Sequence, residues 1–191
     1  NIIVRGLSTN STGPSSDGGT VATYFGEMPL DVDMRLIDVE RVEVLIGPQG
    51  TLYGAGTVGG AIRYMLNQPV MDIVEGEVTG DVFSLSESSG NGSETGFVFN
   101  MPLVDDELAV RVNANYYDTP GYVDYGYVVN TIGDSLPDPD WNDPQAVTNN
   151  TKQISDVNDE QISTARISLR WTPTDWLDGT LNYFYQIDSL S

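Results

Sequence analysis

Residues 38–69 read DVERVEVLIGPQGTLYGAGTVGGAIRYMLNQP, and this stretch decides the fold. In its first part, Val42, Val44 and Ile46 fall on one face of an extended chain, which is the period of a half-buried strand. Gly47-Pro48 ends that strand, because proline lacks the N–H that a sheet ladder requires. The glycines that follow supply the backbone freedom for successive tight turns. The pattern predicts a strand over residues 39–46, a turn region, a second short strand, and no helix over residues 55–66.

Five short motifs in and before this stretch follow one another in a fixed order. They are Val4-Arg5-Gly6, Arg41-Val42-Glu43-Val44, Gly47-Pro48-Gln49-Gly50, Leu52-Tyr53-Gly54 and Gly59-Gly60-Ala61-Ile62. In this order they resemble the C-terminal half of the plug domain of TonB-dependent outer-membrane receptors. The sequence departs from the family pattern at Ile46, where the family usually carries an arginine before Gly-Pro.

Residues 54–59 also match G-x-G-x-x-G, the fingerprint of dinucleotide-binding folds. That fingerprint requires a strand directly before it and a helix directly after it, so that the pyrophosphate lies at the helix N-terminus. Here Gly47-Pro48 separates the glycines from the strand, and Gly60 and Pro69 leave a segment that is poor for a helix. A soluble nucleotide-binding enzyme is therefore the least favoured of three functional hypotheses.

The composition excludes several functions. The 191 residues include 28 Asp and Glu against 8 Lys and Arg, a net charge of -20, which argues against nucleic acid as a partner. The absence of Cys and His removes thiolate metal sites, disulfides, the commonest metal ligand and the usual general base. We therefore predict no catalytic residue, no cofactor and no metal site.

After Pro69 the sequence changes to long alternating segments, which are typical of barrel wall strands. Five strands are predicted, over residues 74–85, 95–101, 108–117, 163–171 and 180–187. In the clearest of them, Val110 and Val112 suit lipid, whereas Arg111 and Asn113 suit a wet lumen. The same division predicts two sets: Ile167, Leu169, Tyr183 and Tyr185 toward lipid, and Arg166, Arg170 and Asn182 toward the lumen. A soluble sheet with one buried face gives the same alternation, and the resemblance favours the barrel.

The predicted fold is thus mainly β. Residues 1–69 form the C-terminal part of a glycine-rich plug domain, and residues 70–191 form about five antiparallel transmembrane strands, with a long acidic outer loop over residues 128–160. Five strands cannot close a barrel, and an open edge in lipid has no water to satisfy it. We therefore expect a part of a plugged barrel, which in receptors of this kind has about 22 strands.

The resemblance implies active import of a scarce nutrient across the outer membrane of a Gram-negative bacterium. In this family the cargo is typically a ferric siderophore, less often a cobalamin, haem or an oligosaccharide. A TonB-ExbB-ExbD complex acts through a TonB box, which would lie N-terminal to Asn1. Further expected contacts are outer-membrane lipid and lipopolysaccharide. A passive porin or adhesin barrel is the alternative, but a diffusion pore needs no glycine-turned domain ahead of its wall.

Three charged residues match family positions that join plug to wall, namely Arg5, Arg41 and Glu43. A plug inside a polar lumen should be held by hydrogen bonds and ion pairs. Exposed pairs contribute about 0–1 kcal/mol, and partly buried ones more. The alternative for these residues is a set of ordinary solvated strand charges.

Cargo contacts are predicted at two plug loops, within residues 9–20 and 28–35, and in the acidic outer loop. The candidate residues are Ser11, Thr12, Asp17, Met28, Asp33, Arg35, Asp138 and Asp140. The carboxylates between residues 134 and 160 either attract cations and cationic chelates or only keep the loop solvated. The second interpretation is favoured, because acidic runs are usually solvated loops.

Overall fold

The computed structural model describes residues 3–4, 7–8, 21–30, 34–48, 50, 57, 59–134 and 137–190. Its elements are, in chain order, β1 (Ile3–Val4), β2 (Leu7–Ser8), β3 (Val21–Phe25), β4 (Met28–Pro29), β5 (Val39–Ile46), β6 (Gly60–Leu66), β7 (Glu75–Ser84), β8 (Asn91–Val104), β9 (Leu108–Thr119), β10 (Val123–Val129), α1 (Pro144–Asn150), β11 (Thr151–Val157), β12 (Glu160–Thr174) and β13 (Leu177–Leu190). The mainly β fold predicted from the sequence is confirmed. No helix in the described ranges is long and apolar enough to cross a membrane.

The stretch that decides the fold forms half of a four-stranded sheet with the order β4-β3-β6-β5. Strands β5 and β6 are antiparallel, whereas β3 and β6 are parallel. Residues 60–66 are a strand, as the glycine-rich pattern predicts, and not the helix that a dinucleotide fingerprint requires. The buried apolar side chains in the described part of this sheet are Val21, Tyr24, Ala61, Ile62 and Leu66.

The five predicted wall strands form one sheet, in the order β13-β12-β9-β8-β7. Tight turns join β8 to β9 and β12 to β13, so these neighbours run antiparallel. Burial alternates along β9 and β12 as the sequence predicts: Arg111, Asn113, Arg166 and Ser168 are buried. On the opposite face, Ile167, Tyr183 and Tyr185 are exposed. The contact of that face with lipid stays a prediction.

Residues 128–160, predicted as a long acidic outer loop, contain regular secondary structure, and their outer position stays a prediction. Strand β10 pairs with β11 as an antiparallel hairpin, and α1 lies between them. The valine- and tyrosine-rich run 122–129 favours a strand. Helix α1 begins after Asp143, whose carboxylate accepts hydrogen bonds from the backbone N–H groups of Gln145 and Ala146, with Pro144 at the first position. We call residues 122–159 the distal hairpin.

The chain divides into two compact units. The first comprises Asn1–Glu75, Val98–Asn113 and Arg166–Tyr183, and the second comprises Gly76–Phe97, Ala114–Ala165 and Phe184–Ser191. The first unit contains the four-stranded sheet, the β8–β9 and β12–β13 turns, and the parts of those strands next to the turns. The second unit contains the distal hairpin. The domain boundary at residues 69 and 70 stays a prediction.

Candidate functional site

The first unit holds a buried polar cluster centred on Asp38, directly before β5. Asp38 has a backbone φ of 57°, a left-handed conformation that Asp tolerates better than most residues. Its carboxylate is 4% exposed. It accepts hydrogen bonds from four side chains, which are Asn67, Arg111, Asn113 and Arg166. Asp38 therefore joins the four-stranded sheet to strands β9 and β12.

The two arginines of this cluster bind Asp38 differently. Arg111 forms a bidentate pair with the carboxylate: its Nε donates to Oδ2 at 2.7 Å and its Nη2 donates to Oδ1 at 2.8 Å. Its remaining Nη1 donates to Glu75 at 2.9 Å. Arg166 donates through Nη2 alone, to Asp38 Oδ2 at 2.6 Å and to the carbonyl of Asn67 at 3.1 Å. A bidentate pair fixes geometry as well as charge, so Arg111 sets the position of the carboxylate.

The Arg166 side chain is fully buried, and among the described residues its Nε and Nη1 have no hydrogen-bond partner. Removing a cation from water is costly, and one carboxylate shared between two arginines offsets that cost only in part. The cluster therefore depends on Asp38 being ionised.

The surroundings of Asp38 favour that ionised form. Burial alone would raise the pKa of Asp38, but the hydrogen bonds from Arg111 and Asn67 and the charges of both arginines outweigh it. The pKa of Asp38 is consequently held below its ordinary value of 3.8. The carboxylate is charged at neutral pH.

A second buried anchor lies in the same unit. Asn100 of β8 is fully buried, and its Oδ1 accepts from the backbone N–H of Val70 at 2.9 Å. Its Nδ2 donates to the carbonyls of Val70 at 3.0 Å and Ile73 at 2.7 Å. One amide thus holds residues 70–73 against the sheet through three hydrogen bonds. Residues 70–73 form neither helix nor strand, so these side-chain hydrogen bonds replace the partners that regular structure would supply.

The predicted plug-to-wall residues lie in different places. Arg5 lies outside the described residues. Arg41 is exposed and donates to Glu40 at 2.6 Å and to Glu43 at 2.8 Å. Glu43 also accepts from Arg63 of β6 at 2.9 Å, while another nitrogen of Arg63 bonds Glu27. The hydrogen bond from Arg41 is the main reason that the pKa of Glu43 lies below its ordinary value. These contacts are within the four-stranded sheet, and the pairing of Arg5, Arg41 and Glu43 with a wall stays a prediction.

The predicted cargo residues of the plug loops are only partly described. Ser11, Thr12, Asp17 and Asp33 lie outside the described residues. Met28 is 61% exposed in β4, and Arg35 is half-buried. Their contact with cargo stays a prediction.

The acidic residues of the distal hairpin make local contacts. Asp138 accepts from the backbone N–H of Gly133 at 2.6 Å, and Asp140 accepts from that of Asn142 at 3.0 Å. Over the described ranges, no group of three or more carboxylates is arranged to hold a metal ion. Both side chains are half-buried in the turns of the distal hairpin, and their contact with cargo or cations stays a prediction.

Sequence reasoning found two members of the Asp38 cluster and missed their partner. Arg111 and Arg166 are predicted lumen-facing residues of two strands, and buried arginines need a carboxylate. The chain has 28 acidic residues, so composition does not identify which one. The position of Asp38 at the start of the deciding strand was the available signal.

Comparison with known proteins agrees with this geometry. Residues 1–61 match the family described as "TonB-dependent Receptor Plug Domain". The ferric enterobactin receptor PirA of Pseudomonas aeruginosa is 30% identical over 145 residues, which is 68% of this chain and 19% of that protein. The probable TonB-dependent siderophore receptor PirA of Acinetobacter baumannii is 32% identical over 82 residues, which is 42% of this chain and 11% of that protein. The chain thus spans about a fifth or less of these relatives.

A solved structure shows the same fold. The ferric yersiniabactin uptake receptor FyuA of Yersinia pestis superposes with a TM-score of 0.64 at 22% identity, covering 91% of this chain and 23% of that one. The sheets and this likeness show the fold of the plugged β-barrel receptors. The resemblance recognised in the sequence is confirmed: residues 1–61 match the plug domain of TonB-dependent receptors, and the chain is similar to siderophore receptors. These are receptors of the Gram-negative outer membrane that work with TonB, a transport class and not an enzymatic one.

Proposed function

We propose that the protein containing this chain imports a ferric siderophore across the outer membrane with energy delivered through TonB. The single observation that supports this most is the Asp38 cluster, because it ties a plug-domain sheet to strands of the wall sheet by buried, charged contacts. A passive pore does not require a plug domain that is held to its wall by ion pairs. The relatives are named as siderophore receptors, which favours iron chelates among the family's cargoes.

In this proposal the plug closes the lumen until TonB, driven by ExbB and ExbD, acts on a TonB box. Charged contacts suit a plug that must be released, since water in the lumen can replace each hydrogen bond as it breaks. The outward face of β9, β12 and β13 lies against outer-membrane lipid, with lipopolysaccharide in the outer leaflet. The plug loops and the outer loops contact the small-molecule cargo.

The test is uptake of radiolabelled iron by a strain that carries the complete gene. Cells lacking the gene, and cells carrying it without TonB, should both fail to take up one iron chelate from a panel of siderophores. In a strain that lacks both the gene and TonB, restoring either one alone should leave uptake absent, and restoring both should recover it. Uptake that persists without TonB would instead support the passive-pore alternative, and uptake of no iron chelate would contradict a siderophore cargo.

A further inference from the structure

The distal hairpin, which lies wholly in the second unit, exposes aromatic rings at a site that the fold does not explain. Tyr125, Tyr127 and Trp141 are 54%, 61% and 58% exposed, and we call these three residues the aromatic patch. The rings of Tyr127 and Trp141 meet edge to face, with centroids 5.1 Å apart. Trp141 lies in the turn before α1 and Tyr127 lies in β10, so the fold brings the pair together.

The part of the chain that carries this patch is mainly negative, although its one cation, Lys152, pairs with Val128 next to Tyr127. Between residues 118 and 160 the chain carries nine carboxylates and one cation, Lys152. Several carboxylates are fixed by backbone hydrogen bonds: Asp138 bonds Gly133, Asp143 caps α1, and Asp124 accepts from the N–H of Asp156 at 3.0 Å. A fixed array of negative charge concentrates cations nearby and repels anions.

Together these features specify a ligand chemistry. Exposed aromatic faces attract organic cations through the ring quadrupole, and negative surroundings strengthen that attraction. A bare metal ion does not fit, because the described carboxylates form no group of three or more that could coordinate one. We propose that the aromatic patch is a capture surface for cationic iron chelates, such as a ferric chelate that carries an ammonium group. This deepens the proposed function and rests on it for the chelate, while the surface itself is argued from the hairpin.

The experiment uses three ferric tris-hydroxamate chelates with one common core. The first carries a free ammonium group, the second has that amine acetylated, and the third has it succinylated, so the charges at this position are positive, neutral and negative. Binding to the complete purified receptor in detergent is measured by titration calorimetry at low and at high salt. The cationic chelate should bind most tightly, and its advantage should shrink as salt screens the exposed charges.

Variants locate the binding surface. Tyr127→Ala and Trp141→Ala should each weaken binding of the cationic chelate by about two- to fivefold, and Asp140→Asn, directly before Trp141, should reduce its advantage over the neutral form. Trp176→Ala, which removes a tryptophan that is 82% exposed in the turn between β12 and β13, is the matched control and should change nothing. These variants should still take up iron from another siderophore in a TonB-dependent manner. That result would separate the aromatic patch from the proposed import function, which does not depend on it.

Three outcomes overturn the inference. They are no measurable binding of the cationic chelate, equal or tighter binding of the anionic one, and a charge preference that the two aromatic substitutions leave unchanged. Quenching of Trp141 by a headgroup-labelled lipid together with no charge preference would show instead that the patch lies at the membrane surface. None of these outcomes would contradict the proposed function, TonB-dependent iron uptake.

Discussion

At the scale of single residues, the negative charge of Asp38 is shared by two buried guanidinium groups, those of Arg111 and Arg166. Arg111 has a second carboxylate in Glu75, but Arg166 pairs with Asp38 alone among the described residues. Loss of this one negative charge therefore leaves a fully buried cation without a counter-charge. Such a loss costs far more than the loss of an exposed ion pair.

Asp38→Asn should destabilise the first unit by about 3–5 kcal/mol. The substitution keeps the shape of the side chain and removes its charge, so the effect reports electrostatics and not packing. We expect increased leakage of small antibiotics through the complete receptor and a lower unfolding temperature. Asp72→Asn, which neutralises an exposed carboxylate, is the control. Equal leakage of the two variants would contradict the role of Asp38.

The same carboxylate predicts a dependence on pH. Because the pKa of Asp38 is lower in the folded protein than in the unfolded chain, its stabilisation is present above the ordinary value of 3.8 and is lost as the pH falls through the folded value. The difference in unfolding free energy between the native protein and Asp38→Asn should be constant from about pH 5 to 7 and should shrink below about pH 4. A difference that grows in acid would have the wrong sign for this mechanism.

Arg41 gives a contrasting case. It is exposed and pairs within its own strand, so Arg41→Ala should leave the stability of the four-stranded sheet nearly unchanged through the contacts described. If the predicted contact of Arg41 with a wall also exists, leakage through the complete receptor should rise while cargo affinity stays unchanged. Lost affinity with unchanged leakage would place Arg41 in the binding site instead.

At the scale of elements, the pairing of β5 with β6 depends on one glycine. Gly60 has a φ of 147°, and a Cβ built there would lie 2.3 Å from the carbonyl oxygen of Leu45. The family motif Gly59-Gly60-Ala61-Ile62 thus has a steric cause at its second position. The sequence predicted a turn and a strand here. It gave no sign of the close approach, because that depends on the partner strand.

Gly60→Ala should destabilise the four-stranded sheet by at least about 2 kcal/mol, since it combines backbone strain with overlap of backbone atoms. Gly179→Ala, in β13, is the matched control, because a Cβ there meets nothing within 4 Å and the backbone is not left-handed. Unfolding of the two variants, followed by tryptophan fluorescence and amide exchange of β6, measures the difference. Similar stabilities would show that the strand shifts freely to make room.

Strands β9 and β12 show how much the sequence alone predicts. Period-two alternation placed Arg111, Asn113 and Arg166 on the inward face, and each is buried in the structure. The distal hairpin was not predicted as strands, because its two halves are separated by about twenty residues of turn-forming sequence and pair only through a non-local contact. Local pattern identifies a strand face. It does not identify a distant partner.

Spin labels on β9 test the outward face. The native chain has no cysteine, so Val112→Cys and Asn113→Cys each introduce a single attachment site in these 191 residues. The label at residue 112 should be accessible to lipid-soluble oxygen in the complete receptor in bilayers, and the label at residue 113 should not. Equal accessibility at the two positions would contradict a wall strand.

At the scale of the whole molecule, the five-stranded sheet ends in two strands, β7 and β13, that each have one neighbour in it. Both edges are rich in exposed apolar side chains, with Val78 and Val82 of β7 exposed by 74% and 80% and Leu181 of β13 by 70%. Long apolar edges of this kind pair readily with other chains. The net charge of -20 opposes association but does not cover the unpaired backbone groups.

The 191-residue chain prepared by itself should therefore self-associate in water and be dispersed by detergent. Sedimentation velocity with and without detergent measures this directly. Val78→Lys together with Val82→Lys should reduce association through the β7 edge, because charged side chains blunt an edge strand. A monodisperse monomer in water at micromolar concentration would contradict the role of the edges.

The parallel pairing of β3 with β6 has a mechanical consequence. Force applied from the N-terminal side of Val21 pulls one end of β3, while β6 is held at its far end, where Asn67 bonds Asp38 and Asn100 holds residues 70–73. In a parallel pair these two ends lie at opposite ends of the ladder, so the pull shears the strands along their length. The force is then shared by all the hydrogen bonds of this ladder, which runs from the Val21–Gly60 pair to the Phe25–Tyr64 pair, and they do not break one after another. The sheet therefore stays paired under tension and transmits the force to the hydrogen bonds and ion pairs of the Asp38 cluster.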